Sequence, residues 1–249
     1  MNQIGLMRDQ LPEVQRTEGS WASLYRAGSV AGLVYLVLVL VPVVLVFAAP
    51  VPPASGGPLL EYIAAHRAVY LVELICFVGL AVPAIAVFAA LAVALARVDK
   101  GLALLGGLLG VVSETIALAL GSSPQSLHGG LVVLSDSSAQ AGSAAERAGL
   151  ASAADALIAA TNAVSWAGIL TAAAILMLSV LMRAEPFGRS VVVLGVVTGV
   201  LGIVSEALRP LIGPGYLAYG LLLPAWFAVV GWRLRDPRRA ARRGRSRSS

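Results

Sequence analysis

Gly107-Leu-Leu-Gly-Val-Val-Ser-Glu114 returns ninety-two positions later as Gly199-Val-Leu-Gly-Ile-Val-Ser-Glu206. Each copy closes an apolar run with a carboxylate, and the steps Gly107, Gly110, Glu114 and Gly199, Gly202, Glu206 are identical. At helical spacing the two glycines and the acid share one face. Ala103 extends that face in the first copy and Gly195 in the second. Small residues let helix backbones approach closely when the medium around them is apolar. A carboxylate on such a face points at a neighbouring helix, so the pattern predicts a membrane bundle with acids inside it.

Composition agrees with that reading. Of 249 residues, 58% are hydrophobic and 12% charged, about half the charged share of an average soluble domain. Mean hydropathy is +0.86. The expected fold is all-α: a polytopic transmembrane bundle of six spans, at 27–49, 69–97, 102–120, 162–182, 191–208 and 217–232. Each approaches the roughly 20 apolar residues that cross a bilayer core. The first run is too long for the core of a signal peptide. A leader, 1–26, precedes this single membrane domain, 27–232, and a basic tail, 233–249, follows it and reads as disordered. Residues 50–68 and 121–138 read as loops. The stretch from Ala139 to Met182 has no proline and reads as one helix of some forty residues, its first half outside the bilayer.

Counting Lys and Arg gives the orientation. The leader carries three, Arg97 and Lys100 two, Arg183 and Arg189 two, and the tail eight, against Arg67, Arg147 and Arg209 on the other side. Positive residues stay inside, so both termini are expected in the cytoplasm and the protein in the cell membrane. The arginine tail is read as a contact for anionic lipids, with no nucleic acid as partner. Cys76 is the only cysteine, which excludes an intrachain disulfide.

The acids can be ranked by depth. Glu114 lies fourteen residues beyond Lys100, about 21 Å up a helix, and Glu206 seventeen beyond Arg189, about 25 Å. Both approach the outer side, Glu114 being the deeper. The candidate polar site is Glu114, Glu206, Arg209, Ser113, Ser205 and Asn162, with Ser165 at a similar height. Arg209 stands one turn beyond Glu206 and is its expected ion partner. Pro83 strips the Gly79 carbonyl of its helical donor, making that carbonyl an expected acceptor for a protonated Glu114. Gly107, Gly110, Gly199 and Gly202 are read as helix-packing positions. The shared pattern further suggests that the second-third and fourth-fifth hairpins are parallel internal repeats.

No nucleophile elbow, zinc-protease, phosphate-loop or dinucleotide motif occurs. His66 and His128 fall on the outer side, away from any haem position in the bundle, and no metal or other cofactor is expected. Arg26-Ala-Gly-Ser-Val-Ala-Gly-Leu-Val-Tyr35, the second span ending Leu95-Ala-Arg-Val-Asp-Lys100, and the Gly-rich span ending in Glu114 resemble a bacterial six-helix membrane family described only as a domain of unknown function. The resemblance covers about residues 26–235 and implies fold and location without lending catalytic residues. Two functions remain open: a non-enzymatic protein that binds or moves a small or lipophilic solute through an outward-facing pocket, or a structural or regulatory component acting through a homo-oligomer or another membrane partner.

Overall fold

A computed structural model describes residues 21–120, 129–164, 166–184, 187–212 and 215–235. Most of the leader and the tail beyond Arg235 lie outside the described residues, as do Ser165, His128 and most of the predicted 121–138 loop. Every regular element among the described residues is helical: α1 (Ala22–Leu45), α2 (Gly56–Ala65), α3 (Arg67–Gly79), α4 (Ala81–Leu95), α5 (Lys100–Leu120), α6 (Gly130–Gln140), α7 (Ala144–Val164), α8 (Ala167–Leu181), α9 (Arg189–Ala207), α10 (Arg209–Ile212) and α11 (Tyr216–Leu234).

Six helical stretches are long and apolar enough to cross a membrane: Ala22–Leu45, Arg67–Leu95, Lys100–Ala119, Ala144–Ala184, Arg189–Ala207 and Tyr216–Leu234. The second joins α3 to α4 through Leu80, whose helical backbone still donates to the Cys76 carbonyl at 3.1 Å. That junction lies just ahead of Pro83, which removes one ladder donor without ending the helix. The fourth comprises α7 and α8 as one helical stretch of 41 residues, close to the length expected but beginning at Ala144. Its apolar part is α8, and α7 belongs to a separate layer.

The long helices close into a ring. α1 packs on α4, α4 on α5, α5 on α8, α8 on α9, α9 on α11, and α11 back on α1. Aromatic rings fill the middle: Tyr35 stacks on Phe227 with centroids 4.1 Å apart, and Phe227 meets Phe88 edge-on at 5.6 Å. Trp226 is fully buried and its indole N–H donates to Ser179 Oγ at 3.2 Å, so the one polar atom of that ring is satisfied. Glycines permit the closest crossings. A Cβ on Gly32 would stand 2.5 Å from the Phe227 carbonyl oxygen and 2.8 Å from Gly231 Cα, where only hydrogen fits.

A three-helix cap of α2, α6 and α7 sits over one end of the ring, with its own core of Leu59, Leu60, Ile63, Leu131 and Ala154. Here the predicted loops are corrected. Residues 56–65 form α2 because Leu59, Leu60, Tyr62 and Ile63 recur at helical spacing and are buried together. Pro58 lies in the first turn, the place a helix tolerates it. Likewise α6 occupies the end of the second predicted loop and buries Leu131, Val132 and Ser135. Asp155 of α7 accepts a hydrogen bond from the Gly56 N–H at 2.6 Å, satisfying an orphan donor at the start of α2. Arg67 pairs with Asp136, tying α3 to α6.

Candidate functional site

The motif helices α5 and α9 flank α8 on two sides. Their glycines lie where those helices meet neighbours. A Cβ on Gly107 would stand 2.6 Å from Ala92 Cβ, and one on Gly110 would strike the Phe88 ring. On α9, a Cβ at Gly199 would come within 2.8 Å of the Leu176 backbone nitrogen, and one at Gly202 within 2.6 Å of the Tyr219 ring. These contacts fix the rotation of both helices, and with it the direction of the acids one turn further on.

Glu114 is 8% exposed and Glu206 4%. Glu114 Oε1 lies 3.0 Å from the Thr171 hydroxyl on α8. That hydroxyl lies 2.7 Å from Ser113 Oγ, and Ser113 Oγ donates to the Ala167 carbonyl at 2.5 Å. The chain of contacts therefore runs from the α5 carboxyl through two hydroxyls to the first carbonyl of α8. Glu114 thus meets Thr171 on the fourth span, not the Gly79 carbonyl on the second. The reason is rotational, since the glycine face of α5 packs against α4 while Ser113 and Glu114 turn towards α8.

Glu206 approaches the same turn of α8 from the other side. Its carboxyl carbon and Oε1 each lie 2.7 Å from where a Cβ on Gly168 would stand, so the absence of a side chain there makes room for the acid. Arg209 holds it: the guanidinium NH2 lies 2.9 Å from Oε2 and donates to Oε1 at 3.2 Å. Tyr216, at the start of α11, donates to Glu206 Oε1 at 2.7 Å and accepts from Arg209 at 2.6 Å. The guanidinium carbon also lies 4.8 Å from the centroid of that tyrosine ring. Arg209 Nε and Glu206 Oε2 are buried without an aligned hydrogen bond.

Ala167, Gly168 and Thr171, all within the first five residues of α8, thus receive Ser113, Glu206 and Glu114. Tyr219 lies in the electrostatic field of both acids, and Tyr35 in that of Glu114. Ser205 is buried on α9 but enters neither network, and Asn162 stands at an exposed position near the end of α7. Sequence reasoning missed Thr171, Tyr216 and Gly168. Thr171 is the one hydroxyl in the first two turns of α8, with no repeated spacing to single it out. Tyr216 follows Gly213-Pro214-Gly215 in the sequence and lies seven residues from Arg209.

Among the described residues no three His, Cys, Asp or Glu side chains gather in a metal-holding arrangement. No protein-family model, curated protein or solved structure matches this chain.

Proposed function

We propose that this is a multi-pass protein of a bacterial cell membrane that binds or moves a small or lipophilic solute at the polar cluster around α8. Both termini lie in the cytoplasm and the cap faces outward. The observation that carries the reading is the convergence of two buried carboxylates on one helix turn inside a ring of apolar helices. An acid within the hydrocarbon core costs about 2.5–3.5 kcal/mol by insertion scales, and groups so placed are by default functional. Packing alone needs no carboxylate at either place.

The aromatic residues support the placement. Trp21 and Trp232 are exposed at the end of the ring that carries Arg233 and Arg235, and Trp166 is exposed at the cap end. Tryptophans favour the two membrane interfaces. The nineteen residues of α11 cover about 28 Å, close to the thickness of a bilayer core. On this placement the acids lie near the outer leaflet, beneath the cap. A second reading, a structural or regulatory component acting through a protein partner or a second copy, draws on the cap itself, a separately cored layer that binding within the ring does not require.

Flux of a fluorescent lipophilic cation into proteoliposomes separates the two. Glu114→Gln and Glu206→Gln are expected to slow uptake tenfold or more while the protein stays folded. Wild-type flux no faster than protein-free vesicles, or unaltered flux in both folded variants, overturns the solute reading.

A further inference from the structure

The contacts between α5 and α8 can be counted in protons. Three oxygen–oxygen contacts stand in series: Glu114 Oε1 to Thr171 Oγ1 at 3.0 Å, Thr171 Oγ1 to Ser113 Oγ at 2.7 Å, and Ser113 Oγ to the Ala167 oxygen at 2.5 Å. All three lie in the range of O–H···O hydrogen bonds. The terminal carbonyl can only accept, and each hydroxyl has one proton to give. With Glu114 ionised, two protons serve three contacts, and one oxygen pair is left facing without a hydrogen. Both acid oxygens would then also be acceptors in a buried place, where an unpaired charge is expensive. With Glu114 protonated the count closes. Its carboxyl donates to Thr171, Thr171 to Ser113, and Ser113 to the carbonyl.

We infer that the Glu114–Thr171–Ser113 chain is a proton-binding site, holding one proton on Glu114 and using it to latch α5 to the first turn of α8. Releasing that proton breaks the carboxyl O–H bond and passes the proton to water or an entering base. The two hydroxyl protons then no longer suffice for the three contacts, and the latch loosens. Among the described residues the surroundings supply no cation to replace it. α4 and α8, the helices packed most closely on α5, contain no titratable side chain. α3 contributes Arg67, Tyr70, Glu73 and Cys76, and Arg67 pairs with Asp136. Among the described residues Tyr35 and Tyr219 also face Glu114, Glu206 approaches from α9, and Arg209 is engaged by Glu206. The latch needs no solute, so it stands or falls separately from the proposed function.

Infrared spectroscopy of the full chain in lipid nanodiscs, without solute, reads the proton directly. At neutral pH the wild-type spectrum is expected to contain a protonated-carboxyl C=O band that disappears in Glu114→Gln. The band should move to higher frequency in Thr171→Val, where the acceptor is lost. The glutamine amide N–H replaces the acid O–H, so Glu114→Gln should keep the latch and lose the fall in melting temperature that releasing the Glu114 proton causes. The wild type, whose folded state holds a proton that the unfolded chain releases, should melt lower as pH rises. A wild-type minus Glu114→Gln difference spectrum with only carboxylate bands would overturn the inference. So would a Thr171→Val protein whose protonated-carboxyl band is unmoved. Should Glu114→Gln fail to fold, the frequency shift in Thr171→Val decides alone.

Discussion

Gly199 and Gly220 differ in what a methyl group would meet. At Gly199 a Cβ would press on the Leu176 nitrogen at 2.8 Å and the Ala172 carbonyl at 2.9 Å, both backbone atoms that cannot swing aside, while at Gly220 nothing lies within 4 Å. Gly199→Ala is therefore expected to destabilise by about 1–3 kcal/mol, as overpacking does. Gly220→Ala should be neutral or stabilise by up to about 1 kcal/mol, because alanine is the better helix former. Thermal melting in one detergent, with the two variants side by side, checks the contrast. At this scale the sequence told half the story. The Gly-Gly-Glu spacing pointed the motif faces at neighbouring helices, and the proximity of Arg209 to Glu206 was readable from one turn of helix. Thr171 and Gly168 were not readable, since their role depends on how α8 is rotated between α5 and α9, and a single hydroxyl or glycine in an apolar run carries no periodic signal of its own.

The helices of the cap are held by a few polar ties that can be cut singly. Asp155→Ala removes the acceptor for the Gly56 N–H and should weaken the start of α2 by about 1 kcal/mol, as loss of a helix cap does. Hydrogen exchange of the first-turn amides of α2 should quicken, with those of α4 unchanged. The Arg67–Asp136 pair acts with pH. Its hydrogen bond to Arg67 holds the Asp136 carboxyl below the usual carboxylate range. A depressed acid contributes stability that is fully present above its unfolded value, about 3.9, and is lost as pH falls through the lower folded value. Exposure of both side chains keeps that contribution small. The tie between α3 and α6 should thus weaken only in strong acid, and Asp136→Asn should remove that acid dependence, as read by exchange in α6. Tyr62 offers the opposite case. Its hydroxyl is buried without a hydrogen-bond partner, and burial, then the charge of Glu73, pushes its pKa up. Tyr62→Phe should leave the cap as stable or raise its melting temperature. The helix hidden in residues 56–65 was masked by Gly56-Gly-Pro58, which reads as loop although proline is at home in a first turn.

For the whole molecule, six apolar runs were legible because bilayer thickness imposes a length on each of them, and hydropathy needs no knowledge of packing. Ring closure was not legible. It rests on α1 meeting α11 through Gly32 and Gly231, residues nearly two hundred positions apart that carry no mutual pattern. The convergence on α8 follows from that closure together with the rotation of two motif helices, which is why the sequence could group the two acids only by their height along the helices. Positive residues at one end and a cap at the other make an orientation testable by labelling: in a Cys76→Ala background, a cysteine at Ser152 of α7, an exposed position, should react with an impermeant maleimide added outside intact cells. One placed at Lys100 should not.

The account turns on the first motif copy facing α8, and a cross-link tests it. Ser113 Oγ and Thr171 Oγ1 lie 2.7 Å apart, so cysteines at both places bring their sulfurs within reach of a disulfide bond. Membranes carrying Ser113→Cys and Thr171→Cys together, in the Cys76→Ala background, should form that intrachain bond on mild oxidation, and mass spectrometry should recover the two peptides joined. If the double variant folds and both thiols are recovered free after oxidation, α5 does not present Ser113 and Glu114 to α8, and the shared polar turn does not exist.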